Sequence, residues 1–359
     1  MCGIIGLFTG CQAVTFCPRA SARVDPAAST VSAAGPADEY RSPFRSWYDR
    51  ASVRRAPRRT GDDAGDSVHY FPPDHVPVAA HPLVKALPPD LFEQVLIQHL
   101  YRYQDFTSKL EHLVVNRTAL GIAHGTIGVR LPEEMRLDAY KVYCDEAYHA
   151  LSAAEVIQQV RDRTDVNPRL PAQPYFLTRL EQILQSCDPD LRPLVEILFV
   201  VVSETLISGN LADIPDDPSV LPMVSEVVRD HAVDEGRHHT YFAIFLRHLW
   251  GQLDERTRRR AGRYVPQLIE TFLAPDTESI EAELRDYGMS REHAAQVVAE
   301  VFSRETVLAF GQAAARQTIR HFAGLGVLED PRTMEEFHRY GLLEPATATS
   351  APVPALREH

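Results

Sequence analysis

Asp145-Glu146-Ala147-Tyr148-His149 recurs in kind at Asp234-Glu235-Gly236-Arg237-His238. Residues three and four apart share a face of an α-helix, whereas residues three apart fall on opposite faces of a strand. Each copy therefore aims a carboxylate and an imidazole at one point only if the chain is helical there. In the second copy His231 extends the set to i, i+4 and i+7, with Glu235 and His238. Two helices of the E-x-x-H kind, joined by two helices that each add one glutamate, make the dinuclear carboxylate site of a four-helix bundle. The repeated pattern thus asks for an all-α core and for two more inward glutamates.

Two segments supply them. Glu204 follows the apolar run Leu194 to Val202, in which Glu196 is the other charge. A carboxylate in such a helix is costly to bury unless something pairs with it. Glu111 has Phe106, Leu110, Val114 and Val115 as apolar neighbours. Four glutamates are neutralised by two divalent cations if the histidines stay neutral. Imidazole with carboxylate suits Fe, Mn or Zn rather than Ca or Mg. His231 is a third imidazole and crowds one of the two cations. Asp145 and Asp234 read either as acceptors for ligand histidines of other helices or as surface charges. His112, His124 and His239 read as bystanders or satisfied core residues.

The rest of the chain fits a bundle with additional helices. Helices are expected from Leu91 to about Leu120, from Pro132 to about Arg163, and from Pro174 to near Cys187. Others are expected from Asp188 to about Leu211 and from Val220 to Trp250, then over 254–273, 276–286, 290–323 and 333–340. No run of period-two alternation marks a strand. Residues 1–40, rich in Ala, Ser, Pro and Thr, are expected to be disordered, as is the tail 345–359; the domain between spans 41–344. Residues 41–60 interleave seven arginines with Phe44, Trp47 and Tyr48. They read as a short amphipathic helix on the surface or as a solvated basic segment. Phe71 to Pro89, punctuated by proline, reads as extended chain over the core.

These residues, in this order, resemble the p-aminobenzoate N-oxygenase family of non-haem di-iron proteins, from about residue 41 to about 330. The family pattern is Glu, then D-E-x-x-H, then E-T in an apolar helix, then H-x-x-x-E-x-x-H. Glu111, Glu146, His149, Glu204, His231, Glu235 and His238 fill its seven ligand positions. The resemblance implies a ferritin-like fold, two Fe ions, and O2 as co-substrate with electrons from an external reductase or ferredoxin-like donor. It implies oxidation of an amine to a hydroxylamine, nitroso or nitro product in specialised metabolite (antibiotic) biosynthesis, and a homodimer. Manganese accepts the same ligand set. Family members acting on free aminobenzoates carry an Arg five residues before the first Glu; here that residue is Phe106, with Tyr103 retained. An aryl or alkyl amine without a carboxylate at that place, free or tethered to a carrier, is therefore expected. Tyr103, Phe106 and Ser208 are the candidate pocket residues.

A net charge of −12 over 359 residues argues against nucleic acid as a partner. No apolar run is long enough to span a bilayer. Met1 to Phe16 lacks a basic start, and the five cysteines form no disulfide framework, so a cytoplasmic location is expected. Met1-Cys2-Gly3-Ile4-Ile5-Gly6 resembles the opening of class II glutamine amidotransferases, in which an N-terminal Cys is the nucleophile. No strand pattern comes after it, so glutaminase chemistry is not expected. The other open readings are a di-iron C–H hydroxylase or oxidase and an iron-binding protein without turnover.

Overall fold

In the computed structural model of the protein, residues 40–61, 69–210 and 217–343 are described, with only the backbone of 208–210. Two single-turn helices, α1 (Trp47–Arg50) and α2 (Ser52–Arg55), precede a series of short turns. These turns are Pro73–His75, Pro77–Ala80 and the one-turn α3 (Pro82–Lys85). The expected extended chain over 71–89 is instead this train of tight turns. Each one starts at a proline, whose fixed φ suits a first helical position and whose missing N–H is not needed there.

The bundle comes next. α4 (Pro89–Leu110) runs through a π-helical turn, Glu111–Val115, into α5 (Asn116–His124). α6 (Glu133–Thr164) opens with Glu133 and Glu134 in its first turn, after Pro132. α7 (Tyr175–Ser186), α8 (Arg192–Asn210) and α9 (Pro222–Gln252) complete the set that bears on the site. α4 packs on α6, α6 on α9 and α9 on α8. Nearly all of α8 from Val195 to Ile207 is buried. An apolar face all round requires cover all round, and α7, α9, α11 (Val265–Leu273) and α14 (Arg304–Ala323) provide it.

Among the described residues there is no strand beyond an isolated bridge between His69 and Val220. No described helix is long and apolar enough to cross a membrane.

Three expected helices are interrupted. The segment 254–273 divides into α10 (Glu255–Gly262) and α11, because Pro266 has no N–H and its ring crowds the carbonyl four residues back. α12 (Thr277–Asp286) comes after them. The segment 290–323 divides into α13 (Arg291–Val301) and α14. Ser303 starts the second half by accepting from Thr306 N–H at 3.2 Å. The third interruption is the π turn at Glu111. An extra residue per turn rotates α5 against α4, and such turns gather at functional sites. α15 (Pro331–Arg339) closes the described chain.

The basic segment has two single-turn helices rather than one helix, with Phe44 and Trp47 inward and most of its arginines exposed. From Tyr40 to Gly61 it forms a strap whose α2 rests on α6 and α9. Phe44, Trp47, Ala51 and Ser52 are buried. Tyr40 is buried too and donates its hydroxyl to Asp138 at 2.6 Å. The rest of 1–40 and the tail 345–359, with the Met1–Gly6 motif, lie outside the described residues.

Candidate metal centre

α4 and its π turn, α6, α8 and α9 each carry one glutamate to the middle of the bundle. Glu111, Glu146, Glu204 and Glu235 have no exposed surface. His149, His231 and His238 are buried with them. Two groups of potential ligand atoms form: Glu146, His149, His231 and Glu235, and Glu146, Glu204 and His238, each within 4.8 Å.

Glu146 belongs to both groups and turns one oxygen to each. Its Oε2 lies 2.9 Å from His149 Nδ1, and its Oε1 lies 2.9 Å from His238 Nδ1. Glu235 Oε1 is close to all three imidazoles, at 3.0 Å from His231 Nε2, 3.1 Å from His238 Nδ1 and 3.7 Å from His149 Nδ1. Glu111 stands at the first group, 3.6 Å from His231 Nε2. Glu204 stands at the second, 3.9 Å from His238 Nδ1. The arrangement is two adjoining pockets with two shared carboxylates, one terminal carboxylate each, and imidazoles divided two and one.

The electrostatics are unbalanced without cations. Both oxygens of Glu111 and both of Glu204 are buried with no hydrogen-bond partner. Burial, and then the neighbouring carboxylates, push Glu111 and Glu204 well above the usual carboxylate range. Burial also disfavours the charged form of Glu146, yet His238 and His149 hold it well below that range. The two terminal carboxylates thus lack the positive partner that the shared ones borrow from histidine. A divalent cation beside each would supply it. The residues present fit a pair of such ions with nitrogen and oxygen donors.

Asp145 and Asp234 are fully buried, not surface charges. Each accepts from the histidine of the other motif. His149 Nε2 donates to Asp234 at 3.1 Å, and His238 Nε2 donates to Asp145 at 3.2 Å. Nδ1 of both rings is turned to the centre, where a bound cation would take the place of its proton.

The strap completes the network. Trp47 Nε1 donates to both oxygens of Asp145, each at 2.9 Å. Ser52 donates to Asp234 through its N–H, at 3.2 Å, and through its hydroxyl. Arg237 also donates to Asp234. Phe44 stacks on His238 with ring centres 5.9 Å apart. Sequence reading missed Phe44, Trp47, Ser52 and Arg237 in these roles. Trp47 and Ser52 lie 98 and 182 residues from the carboxylates they hold, so no local spacing announces them.

Two cavities share Tyr103 in their walls. One, of about 220 Å³, reaches His149 and His231 past Tyr103, Gln104 and Thr107. The other, of about 440 Å³, is largely apolar and has Tyr103, Phe106, Phe176, Phe272 and Phe310 in its wall. Tyr103 borders both, and its buried hydroxyl has no hydrogen-bond partner. Phe106 packs on Phe176 and Phe272, with ring centres 4.6 and 5.5 Å away. The side chain of Ser208 lies outside the described residues. His112 and His124 are exposed, and His239 Nε2 lies 3.2 Å from His321 Nε2.

The profile of the family described as P-aminobenzoate N-oxygenase AurF matches residues 42–326. The chain belongs to this family. A curated relative, the 4-aminobenzoate N-oxygenase of Streptomyces thioluteus, is 26% identical over 250 residues, covering 68% of this chain and 74% of that protein. As a p-aminobenzoate N-oxygenase family member the chain is an amine N-oxygenase, an oxidoreductase with an all-α, ferritin-like fold. The strap from Ser42 onward, the bundle and both E-x-x-H motifs fall within the matched stretch.

Proposed function

We propose that the chain is a non-haem di-iron N-oxygenase that uses O2 and external electrons to oxidise an arylamine in specialised metabolism. The domain spans 41–344, works in the cytoplasm and forms a homodimer. Glu111, His149 and His231 would hold one iron and Glu204 and His238 the other, with Glu146 and Glu235 standing between the two pockets. The observation that carries this reading is the pair of adjoining pockets sharing Glu146, with the four buried oxygens of Glu111 and Glu204 left without a hydrogen bond.

Bound there, the two irons would supply the redox chemistry by which O2 delivers an oxygen atom to the amine nitrogen. The protein's own part is positional. Asp234 and Asp145 accept from Nε2 of His149 and His238, which would leave Nδ1 of each ring to hold a metal. The apolar cover of α8 and the strap keep bulk water from the centre. Tyr103 offers a hydroxyl at the wall between the cavities.

The aromatic-walled cavity favours a flat, apolar amine. Phe106 provides no cation to pair with a carboxylate, which separates the expected substrate from 4-aminobenzoate, the substrate in the relative's name. Iron-loaded protein, a reductant and a panel of arylamines with and without a carboxylate test the reading. O2 uptake with a hydroxylamine, nitroso or nitro product supports it. C–H hydroxylation, or O2 uptake with every amine left intact, overturns it.

A further inference from the structure

Resting on that reading, which needs external electrons, we propose that the arginine-rich strap is the docking surface for an acidic one-electron carrier protein of the ferredoxin class.

The chain is acidic, with a net charge of −12, yet the strap is strongly basic. Arg41, Arg45, Arg50, Arg54, Arg55 and Arg58 are exposed, and Asp49 is the one acidic residue among positions 41–58. Arg41, Arg45, Arg50 and Arg55 make no ion pair with a described residue. A basic patch on an acidic protein selects an acidic partner and turns it to one face.

The patch lies over a short bonded line into the centre. Tyr48 is 61% exposed, and its ring meets that of Trp47 edge to face at 5.1 Å. Arg54 lies over both rings. Trp47 donates to Asp145, and Asp145 accepts from His238, whose Nδ1 lies at Glu146 and Glu235. Surface and centre are thus joined through one ring contact and two hydrogen bonds. An electron carrier needs only a small, weak interface. Two successive encounters, each oxidising one reduced [2Fe–2S] cluster, would take two ferric ions to ferrous; no bond breaks and no atom leaves.

An acidic carrier protein bearing a tethered amine would need the mouth of one of the two cavities. The arginines that line them are already neutralised: Arg102 pairs with Glu283, Arg58 with Glu155, and Arg59 with Glu226 and Asp230. The unpaired charge surrounds Tyr48 instead.

Binding of a plant-type [2Fe–2S] ferredoxin to the metal-free full chain tests the surface without needing iron or an amine. Arg45→Glu/Arg50→Glu/Arg55→Glu leaves Arg54 over the rings; Arg256→Glu/Arg259→Glu/Arg332→Glu carries the same charge change on α10 and α15. The strap variant should bind about tenfold more weakly at low salt and the other as wild type, with the difference fading as salt rises. In iron-loaded protein, loss of ferric absorption driven by ferredoxin should slow in the strap variant while that driven by dithionite does not. Trp47→Phe should slow the ferredoxin-driven rate without weakening binding. Equal binding by both triple variants, or tighter binding of an acidic acyl carrier protein at the same patch, overturns the proposal. An unchanged ferredoxin-driven rate in Trp47→Phe overturns the route. If the chain takes up no iron, the functional reading fails while the binding result still stands.

Discussion

His238 and Asp145 belong to different E-x-x-H helices, and the 3.2 Å hydrogen bond between them is mirrored by that of His149 and Asp234. Each motif therefore supplies the acceptor that orients the other's imidazole. Loss of such an acceptor typically lowers metal affinity by about 10–100-fold. Asp145→Asn and Asp234→Asn should each do so with helicity retained, read by anaerobic Fe(II) titration and circular dichroism. Wild-type affinity in both would show that the exchange has no bearing on the centre.

Trp47 and Ser52 satisfy carboxylates that have no exposed surface. Removing a partner from a buried acceptor costs about 1–3 kcal/mol. Trp47→Phe and Ser52→Ala should each lower the urea midpoint of the metal-free protein by a corresponding amount. Variants as stable as wild type would mean that the strap does not hold these groups in solution.

Phe106→Arg brings a cation to the apolar cavity between Phe176 and Phe272. The change should cost about 1–3 kcal/mol of stability through poor fit. It should also tighten binding of 4-aminobenzoate relative to aniline, as followed by equilibrium titration. An unaltered preference would remove Phe106 from the substrate wall.

His99 lines the same cavity beside Arg102, and burial, Arg102 and His75 lower its pKa from the usual 6.5 to about 3. The unfolded chain takes up this proton below pH 6.5 while the folded chain does not until about pH 3. Its contribution to stability is therefore full above 6.5 and falls as pH drops towards 3. The slope stays under about 1.4 kcal/mol per pH unit, since a single proton is taken up. His99→Gln should flatten the loss of stability between pH 7 and 5, measured by urea unfolding. A difference from wild type that is constant with pH would contradict this.

The convergence of the seven candidate ligands in the bundle was legible because helical period ties E-x-x-H to one face, and because Glu204 is too costly in an apolar helix without a partner. The all-α class came from the same period. The π turn was not legible: Glu111–Val115 has no sequence mark separating i+5 from i+4 bonding, though it changes the phase at a site glutamate. The breaks at Gly262 and Phe302 needed the local effects of Pro266 and Ser303 weighed against apolar periodicity. The strap was visible as composition but not as structure, because its targets, Asp145 and Asp234, lie in distant sequence.

Anaerobic Fe(II) titration of wild type, Glu204→Ala and His231→Ala, with helicity followed in parallel, bears most directly on the dinuclear centre. Each pocket has its own terminal glutamate and histidine, so wild type should take up two irons per chain, and each variant should lose tight binding at one position or both. Folded wild-type protein that binds no iron, or variants that bind as much as wild type, would contradict the dinuclear assignment.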